Sequence, residues 1–556
     1  MKVKKHFLTA ICALLSLSLV LSGCGSSDKK ENGDATDSPT TSSSDSKSNF
    51  NETGLPIVNE KITLRFVARK ADLAGDYNEM DPIKKLEEMT NIHIDWECIP
   101  ASVYDEKKNL MLAGGDLPDA FFQTGFSDFD IMTYGANGTL IPLQDLVDKW
   151  APRIKSIWEK RPEVKKGLTM PDGNIYTTHS LEELAFTDPD NPNDAVNIGA
   201  VPYFTSINKA WLDKLGIPVP TTLDEFHDAL VAFRDRDPNG NGKKDEIPFS
   251  FMHMQWCMDI GGLFGSFGLG DNTEHRYVKD GKVHYIAVQP EYKEAISYFH
   301  QWYKEGLIDP ESFTQDAKAY LSKGKHPDYV LGSYVWWETA EVVGPERQDD
   351  YVLLPPLKGP GGKQTQLRHD QGAGARNAFA ITKVNKYPEI TMRWLNECYE
   401  PKLSAELNWG PIGKVFEEKD GKLVWLPTPA GETAGEYRQK VCPSGGSPMT
   451  VLAEDFEYIE MDPRARVRLD DIKNIYWPYV VNKEYYPSVV FTQEELDVIQ
   501  GIGEEIKKYT NEQRAKWLTS GGIEEEWDAY VDQLNRMGLN ELLNAWQSAL
   551  DRFNGK

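Results

Sequence analysis

The sequence predicts two α/β lobes followed by a helical C-terminal segment. Three observations carry that prediction. Segments with apolar–polar alternation take turns with segments of helical periodicity along much of the chain, the order that builds parallel sheets with helices on their faces. About 500 residues follow the first fifty or so, too many for one hydrophobic core. From Gln493 to Phe553 the pattern is almost continuously helical.

The chain opens with Lys2, Lys4 and Lys5, then an apolar run from Phe7 to Leu21. That run is shorter than the ~20 residues of a bilayer-spanning helix and ends in small residues, so residues 1–23 are expected to be a secretion signal. The end, Leu21-Ser22-Gly23-Cys24, resembles a bacterial lipobox, in which the peptide is cut before the cysteine and Cys24 is lipidated; the plainer alternative is an ordinary signal with an incidental Cys. A diacylated Cys24 would hold the protein on the outer face of the membrane, since each buried CH2 adds ~0.8 kcal/mol. Residues 24–56 are rich in Ser, Thr, Asp, Gly and Lys and are expected to be a flexible tether, with the folded part starting near Leu55.

"KITLRFVAR" (61–69) alternates as a strand does. "MDPIKKLEEMTNIHIDWECIP" gives a helix and then a strand, Ile92 to Ile99, and "VYDEKKNLMLAGG" gives another helix before the short apolar strand in "LPDAFF" (117–122). Further on, "VPYFTSINKAWLDKLGI" offers a strand and a helix. "TTLDEFHDALVAFRDR" is an amphipathic helix opened by a Thr cap with Glu225 three positions on. "PEYKEAISYFHQWYKEGLI" is a helix, and "DYVLGSYVWW" and "NAFAITK" are strands. "GGLFGSFGLG" (261–270) lacks the GK[ST] end of a phosphate loop and reads as a flexible connection. There is no fixed-period repeat, and a cleft between lobes is the default binding site.

A net charge of −25 excludes nucleic acid as partner, whose phosphates require a basic surface. After Cys12 and Cys24, the remaining Cys98, Cys257, Cys398 and Cys442 form no CxxC, hence no zinc signature; they are expected as buried thiols or at most one pair. No Ser-His-Asp arrangement, dinucleotide fingerprint or HExxH spacing is present.

"INKAWLDKLGIPVPTTLDEF" (207–226), "GDLPDAFF" (115–122) and "YKEGLIDPESF" (303–313) together resemble extracellular solute-binding proteins of carbohydrate ABC importers (family 1). "IEEEWDAYVDQLNRMGLNELLNAWQSALDRF" resembles the large lipoprotein branch of Gram-positive bacteria, which is similar to alginate-oligosaccharide-binding proteins. The resemblance runs from Lys61 to Phe553. It implies a two-lobed periplasmic-binding-protein-like fold (type II) with hinge strands, closing on an oligosaccharide that passes unchanged to ABC-transporter permease subunits. It also implies a lipid-anchored monomer without enzyme activity. The chain would cross between lobes near Thr178–Val201, Gly374–Ile381 and Cys442–Asp462. The lobes would then be 57–180 plus 380–450 and 181–379 plus 451–556.

One loop has metal-ligand spacing. "FRDRDPNGNGKKDEIPF" (233–249) offers oxygens from alternate positions, as a hard Ca2+ ion with six to eight ligands requires. With Asp235 first, Asp237, Asn239, Gly240 and Glu246 fall at positions 3, 5, 6 and 12 of an EF-hand loop. With Asp237 first, Asn239, Asn241, the Lys243 carbonyl and Asp245 follow at 3, 5, 7 and 9, with Glu246 beside them and Pro248 at 12. "DPNGNGKKDE" is similar to the calcium loop of the alginate-binding relatives, which use the second spacing, and that register is preferred. The plain alternative is a polar connection without metal, its acids partly neutralised by Lys243 and Lys244. The Ca2+ would be structural.

Sugars combine apolar C–H faces with hydroxyls, so their sites pair aromatic platforms with polar side chains. Ligands of α/β lobes sit at the carboxyl ends of strands. That position singles out Tyr77 and Asn78 beside Asp76, Phe126 near Gln123, Gln255 and Trp256, and the adjacent pair Trp336-Trp337. Arg376, with His369 and Asp370, and Trp409 complete the set. Trp256, Trp337 and Arg376 are foremost, and Arg376 or Lys70 could meet a carboxylate if the ligand were a uronic-acid oligomer. Each isolated aromatic has core packing as its plain alternative. Two other functions compete: a binding protein for a peptide or other organic solute, and a glycoside hydrolase, which would need two carboxylates across a cleft and for which no motif emerges.

Overall fold

The structure, a computed structural model, describes residues 49–72, 74–369 and 374–556. The signal over 1–23, Cys24 with its tether to residue 48, and Asp370 lie outside the described residues. Among the described residues no helix is long and apolar enough to cross a membrane. Order begins earlier than Leu55: Phe50 bridges to Val58 and packs edge-on against Trp150, ring centroids 5.1 Å apart. One aromatic anchor in a polar stretch suffices to fasten it.

Ten strands place the site: β1 (Ile62–Lys70), β2 (Ile92–Pro100), β3 (Ala120–Phe122), β4 (Thr178–Glu182), β5 (Thr205–Asn208), β6 (Ile247–Ser250), β7 (Leu331–Val335), β8 (Tyr351–Leu353), β9 (Ala375–Ile381) and β10 (Met449–Val451). They form two sheets, one of six strands in the order β10-β4-β9-β3-β1-β2 and one of four in the order β8-β5-β7-β6. The run of strand, helix, strand, helix, strand at the start is parallel as expected: β1 pairs in parallel with both β2 and β3. Both sheets are nonetheless mixed. β9 runs antiparallel to β3 and β4, and β7 is parallel to β6 but antiparallel to β5.

Nine helices recur below: α1 (Asp81–Thr90), α2 (Ala101–Gly114), α3 (Leu223–Asp235), α4 (Thr339–Val343), α5 (Ala434–Val441), α6 (Pro463–Asp471), α7 (Glu504–Ser520), α8 (Ile523–Met537) and α9 (Leu539–Phe553). α1 and α2 are the connections that let β1, β2 and β3 run parallel. α3 starts as its sequence demands: Thr222 Oγ1 accepts from the Glu225 N–H at 3.1 Å, and the Glu225 carboxylate accepts from the Thr222 N–H at 3.1 Å, a reciprocal cap. Each sheet has its own core. Phe66, Phe122, Phe379 and Trp394 pack against the six-stranded sheet. Phe226, Phe249, Phe264, Phe299 and Trp302 pack against the four-stranded one. A buried Phe contributes ~1.5–3 kcal/mol, so either core can hold its lobe.

The C-terminal helices join the second core through Trp517, Tyr530, Leu534 and Trp546. A buried ion cluster fixes α7 there: Arg514, wholly buried, donates to Asp259 at 2.9 and 2.6 Å. The expectation of a flexible connection over 261–270 is wrong. Ile260–Phe267 is a buried 3-10 helix, and its glycines serve close approach: a Cβ on Gly265 would sit 2.0 Å from the Thr365 carbonyl oxygen. Glycine richness here reflects crowding.

Candidate ligand-binding crevice

β7 is buried along its whole length and passes directly into Trp336, Trp337 and Glu338. Neighbouring side chains on extended backbone point opposite ways, so the two indoles part. Trp336 turns inward and stacks on Tyr320, ring centroids 5.7 Å apart. Trp337 turns outward and stays half-buried. Both indole N–H groups aim at one acceptor, Glu341 Oε2, at 2.8 Å from Trp336 and 3.4 Å from Trp337. Glu341, on α4, thereby fixes both rings. Trp256 meets Trp337 edge to face at 4.8 Å and is 50% exposed; β6 ends at Ser250, so Trp256 stands on the loop beyond it.

The outward face of Trp337 walls a crevice of about 370 Å³, a size typical of small-ligand sites. The opposite wall is α6. Asp462 caps its start, accepting from the Arg464 N–H at 2.9 Å, and Pro463 occupies the first turn, where no N–H is needed. Arg464 and Arg468, one turn apart, share a helix face. The Arg468 guanidinium lies 3.9 Å from the Trp337 ring centroid, a cation–π contact. Both guanidiniums converge on Glu338 Oε2, at 3.2 Å from Arg464 and 3.3 Å from Arg468. Arg464 also bonds Asp462 at 2.9 Å.

Burial raises the Glu338 carboxyl above the ordinary range, against the downward pull of Arg464. At the far end of α6, burial and the neighbouring Asp470 push Asp471 up to about 6. Glu338 and Asp462 thus take up Arg464 and Arg468, and the lining adds two further acids, Asp349 and Asp471. The wall offers an indole, one face of it covered by Arg468, and polar groups without a free cation, an arrangement suited to hydroxyls.

The other expected residues lie elsewhere. Tyr77 is wholly buried, edge-on to Trp96 and Phe122, its hydroxyl donating to Gln123. Gln123 in turn donates to the Pro443 and Gly445 carbonyls at 2.9 and 3.0 Å, tying down the 443–447 loop. Asn78 is exposed and bonds Asp76. Phe126 is buried against Phe121, and Gln255 is exposed. Arg376 is bound to Asp128 at 2.6 Å and to the Val489 carbonyl at 2.7 Å, clipping β9 to the segment before the C-terminal helices. Lys70 caps the Ala74 carbonyl. His369 is buried, which pushes its imidazole down to about 4. Trp409 is buried against Phe416 and Trp425. Cys98, Cys257, Cys398 and Cys442 are all free thiols. Sequence reasoning missed Glu338, Arg464 and Arg468. The i, i+4 arginine pair in "DPRARVRLD" was a visible signal, but nothing linked it to "WWE" over a hundred positions earlier.

In the 237–246 loop Asp237 takes a left-handed φ of 46°. Its carboxylate accepts from the Gly240, Asn241 and Gly242 N–H groups at 2.9, 3.1 and 3.0 Å. Asp245 accepts from the Asn239 and Asn241 side-chain amides at 3.0–3.1 Å. Glu246 Oε1 is buried and has no hydrogen-bond partner. Its carboxyl is raised by burial, then by Asp237 and Asp245. Lys243 reaches away to Asp328 at 2.8 Å, and Asp235 is held by Arg234 in two 2.8 Å bonds. Among the described residues no three His, Cys, Asp or Glu side chains are already gathered for a metal.

Residues 70–403 match the model of the bacterial extracellular solute-binding protein family. The chain is 37% identical to the fructooligosaccharide ABC transporter substrate-binding protein FusA of Streptococcus pneumoniae, covering 100% of this chain and 99% of that one. A structure of FusA in complex with kestose superposes with a TM-score of 0.83 at 38% identity, over 89% of this chain and 100% of that one, as does one of a FusA EF-hand mutant in complex with fructo-nystose. Lipoprotein LipO of Bacillus subtilis is 25% identical over 67% of this chain and 72% of its own. The alginate-binding protein AlgQ2, solved without calcium ion, shares the fold: TM-score 0.68 at 23% identity, over 90% of this chain and 100% of its own. With its two lobes, its mixed sheets and its helical C-terminal segment, this chain belongs to the bacterial extracellular solute-binding protein family.

Proposed function

We propose that this protein captures a neutral oligosaccharide of the fructo-oligosaccharide type in the crevice beside Trp337 and hands it unchanged to an ABC-transporter permease. The observation that carries this reading is the wall opposite Trp337, where acids outnumber the two arginines. Arg464 and Arg468 are both committed to carboxylates, so the crevice is polar without an unspent cation. A uronic-acid chain of the alginate kind would need such a cation, because a buried carboxylate without a partner is costly. The 37% identity to FusA supports the same ligand class. The lobes would be 57–180 plus 380–450 and 181–379 plus 451–556. All three crossings then fall in β4, β9 and β10, which are neighbours in one sheet, as hinge strands should be.

A structural Ca2+ in the 237–246 loop belongs to this reading. The buried, unpartnered Glu246 oxygen beside two further carboxylates is a donor set in want of a cation, and oxygen donors suit calcium. Asp237, Asn239, Asn241, the Lys243 carbonyl, Asp245 and Glu246 would hold it. Asp235, spent on Arg234, stays out. Cys24 would anchor a monomer to the outer face of the membrane.

Calorimetric titration with kestose, oligogalacturonate and peptides tests the proposal. Kestose should bind and the others should not, and no reducing ends should be released from it. Binding of only the acidic sugar or only peptide would overturn it, as would turnover of the glycan.

A further inference from the structure

Beyond Arg464 a second, smaller cavity of about 170 Å³ opens, sharing Pro463 and Arg464 with the main crevice. Its sides are aromatic. Trp425 and Tyr437, both half-buried, present their rings. Trp409 backs Trp425 with 5.8 Å between centroids. The Trp425 indole N–H donates to the Glu460 carbonyl at 2.8 Å and its backbone N–H to the Glu460 carboxylate at 3.1 Å, so that ring is fixed in place. Exposed Thr428 stands at the mouth, and Arg438 is already bonded to Asn408. The composition is that of the main crevice: an indole platform with polar groups whose charges are spent.

Gly435 lets α5 come close to α4 beside the two cavities. It sits in the first turn of α5, between Ala434 of one cavity and Glu341, next to Thr339 and Ala340 of the other. A Cβ there would lie 2.6 Å from Glu341 Oε1. A larger residue there would have to displace the Glu341 carboxylate that holds Trp336 and Trp337.

Resting on the reading of the main crevice as an oligosaccharide site, we infer that the Trp425–Tyr437 cavity is a subsite for the further sugar units of a longer chain, whose first units lie against Trp337. Length preference is then built into the first lobe, apart from the groups that read the leading units.

Titration of the full-length protein with kestose and with the longer fructo-nystose tests this. The wild type should favour the longer chain. Trp425→Ala and, with less risk to packing, Tyr437→Ala should cut the ratio of long-chain to kestose affinity roughly tenfold. Trp337→Ala should weaken both ligands by one factor and leave the ratio alone. Equal wild-type affinities for the two lengths would overturn the inference while leaving the main crevice's role standing. So would Tyr437→Ala lowering both affinities by the same factor with an unchanged melting temperature. If neither sugar binds the wild type, the reading beneath fails too.

Discussion

Replacing Glu338 with Gln should convert a site for neutral sugar into one that accepts an acidic sugar. The change is nearly isosteric and removes one negative charge. Arg464 keeps Asp462 at 2.9 Å. Arg468 loses the only carboxylate it bonds among the described residues and retains the Trp337 ring. A hydrogen bond to a charged group contributes ~1.5–3 kcal/mol, and each ~1.4 kcal/mol is tenfold in affinity. Kestose affinity should therefore fall about 10- to 100-fold through loss of the carboxylate acceptor and of the order it imposes on both guanidiniums. An oligogalacturonate should gain measurable binding, because its carboxylate can take the vacated place on Arg468. Titration calorimetry on both ligands near neutral pH reads both changes, and a melting curve verifies the fold. Wild-type acidification is a second route to the same state. Glu338 titrates above the ordinary carboxylate range because burial penalises its charge, so kestose affinity should decline as pH drops towards that range, before most surface carboxylates protonate. Unchanged kestose affinity in Glu338→Gln would refute the role of this carboxylate. Loss of kestose with no gain of the acidic ligand would refute the lack of a spare cation as the discriminator.

Three further outcomes follow from other parts of the molecule. Arg514→Met strands Asp259 and Asp271 in the core, and breaking such a pair costs ~3–5 kcal/mol, measurable by urea denaturation. In the wild type burial works to raise the Asp259 carboxyl, yet Arg514 outweighs it and holds the group below its ordinary value. That pair contributes stability above the unfolded-state value and loses it as pH falls through the folded one. Without Arg514 burial is opposed only by His253 and the Met254 and Gly261 N–H bonds, the folded value rises, and the variant should recover ground on the wild type on acidification; a fixed gap would refute this. Calcium at a hundredfold excess over its Kd adds ~2.7 kcal/mol, or roughly 2–5 °C in Tm for a chain this size. Chelator should remove that shift, Asp245→Ala should abolish it and Asp235→Ala should keep it; the reverse pattern would select the register starting at Asp235. Gly265→Ala, whose Cβ would meet the Thr365 carbonyl at 2.0 Å, should cost ~1–3 kcal/mol as an overpacked core does, and a neutral result in denaturation would contradict the packing described.

The elements legible in the sequence are those governed by local rules. β1, β2, α1, α2 and α3 fall where alternation, periodicity and a Thr–Glu cap put them, because each is stabilised largely by its own neighbours. The 260–267 helix was not legible, since its glycines answer to Thr365 and Tyr203, a contact no local pattern encodes. Candidate residues divide the same way. Strand alternation separated Trp336 from Trp337 without any knowledge of the fold. Composition could not distinguish Tyr77, wholly buried, from Trp256, half-exposed, since both are aromatic residues near strand ends.

The crevice was illegible for a deeper reason, which bears on how such a protein works. Its walls come from the end of β7 and from α6, separated by more than a hundred residues and by the crossing through β9 and β10. The link between them is Glu338 with Arg464 and Arg468, at 3.2–3.3 Å. These bonds are long for charged pairs, whose N–O distance is commonly ~2.7–2.9 Å. A link of that length leaves the Glu338 oxygens lone pairs for a ligand's hydroxyls. Sugar and guanidinium can then share one carboxylate, and binding and wall-to-wall contact reinforce each other. A tighter, fully satisfied bridge would hold the walls together with or without sugar and leave nothing for the ligand to contribute. Capture followed by release therefore favours a cluster with no spare cation and slack in geometry, and such a cluster has no compact sequence signature.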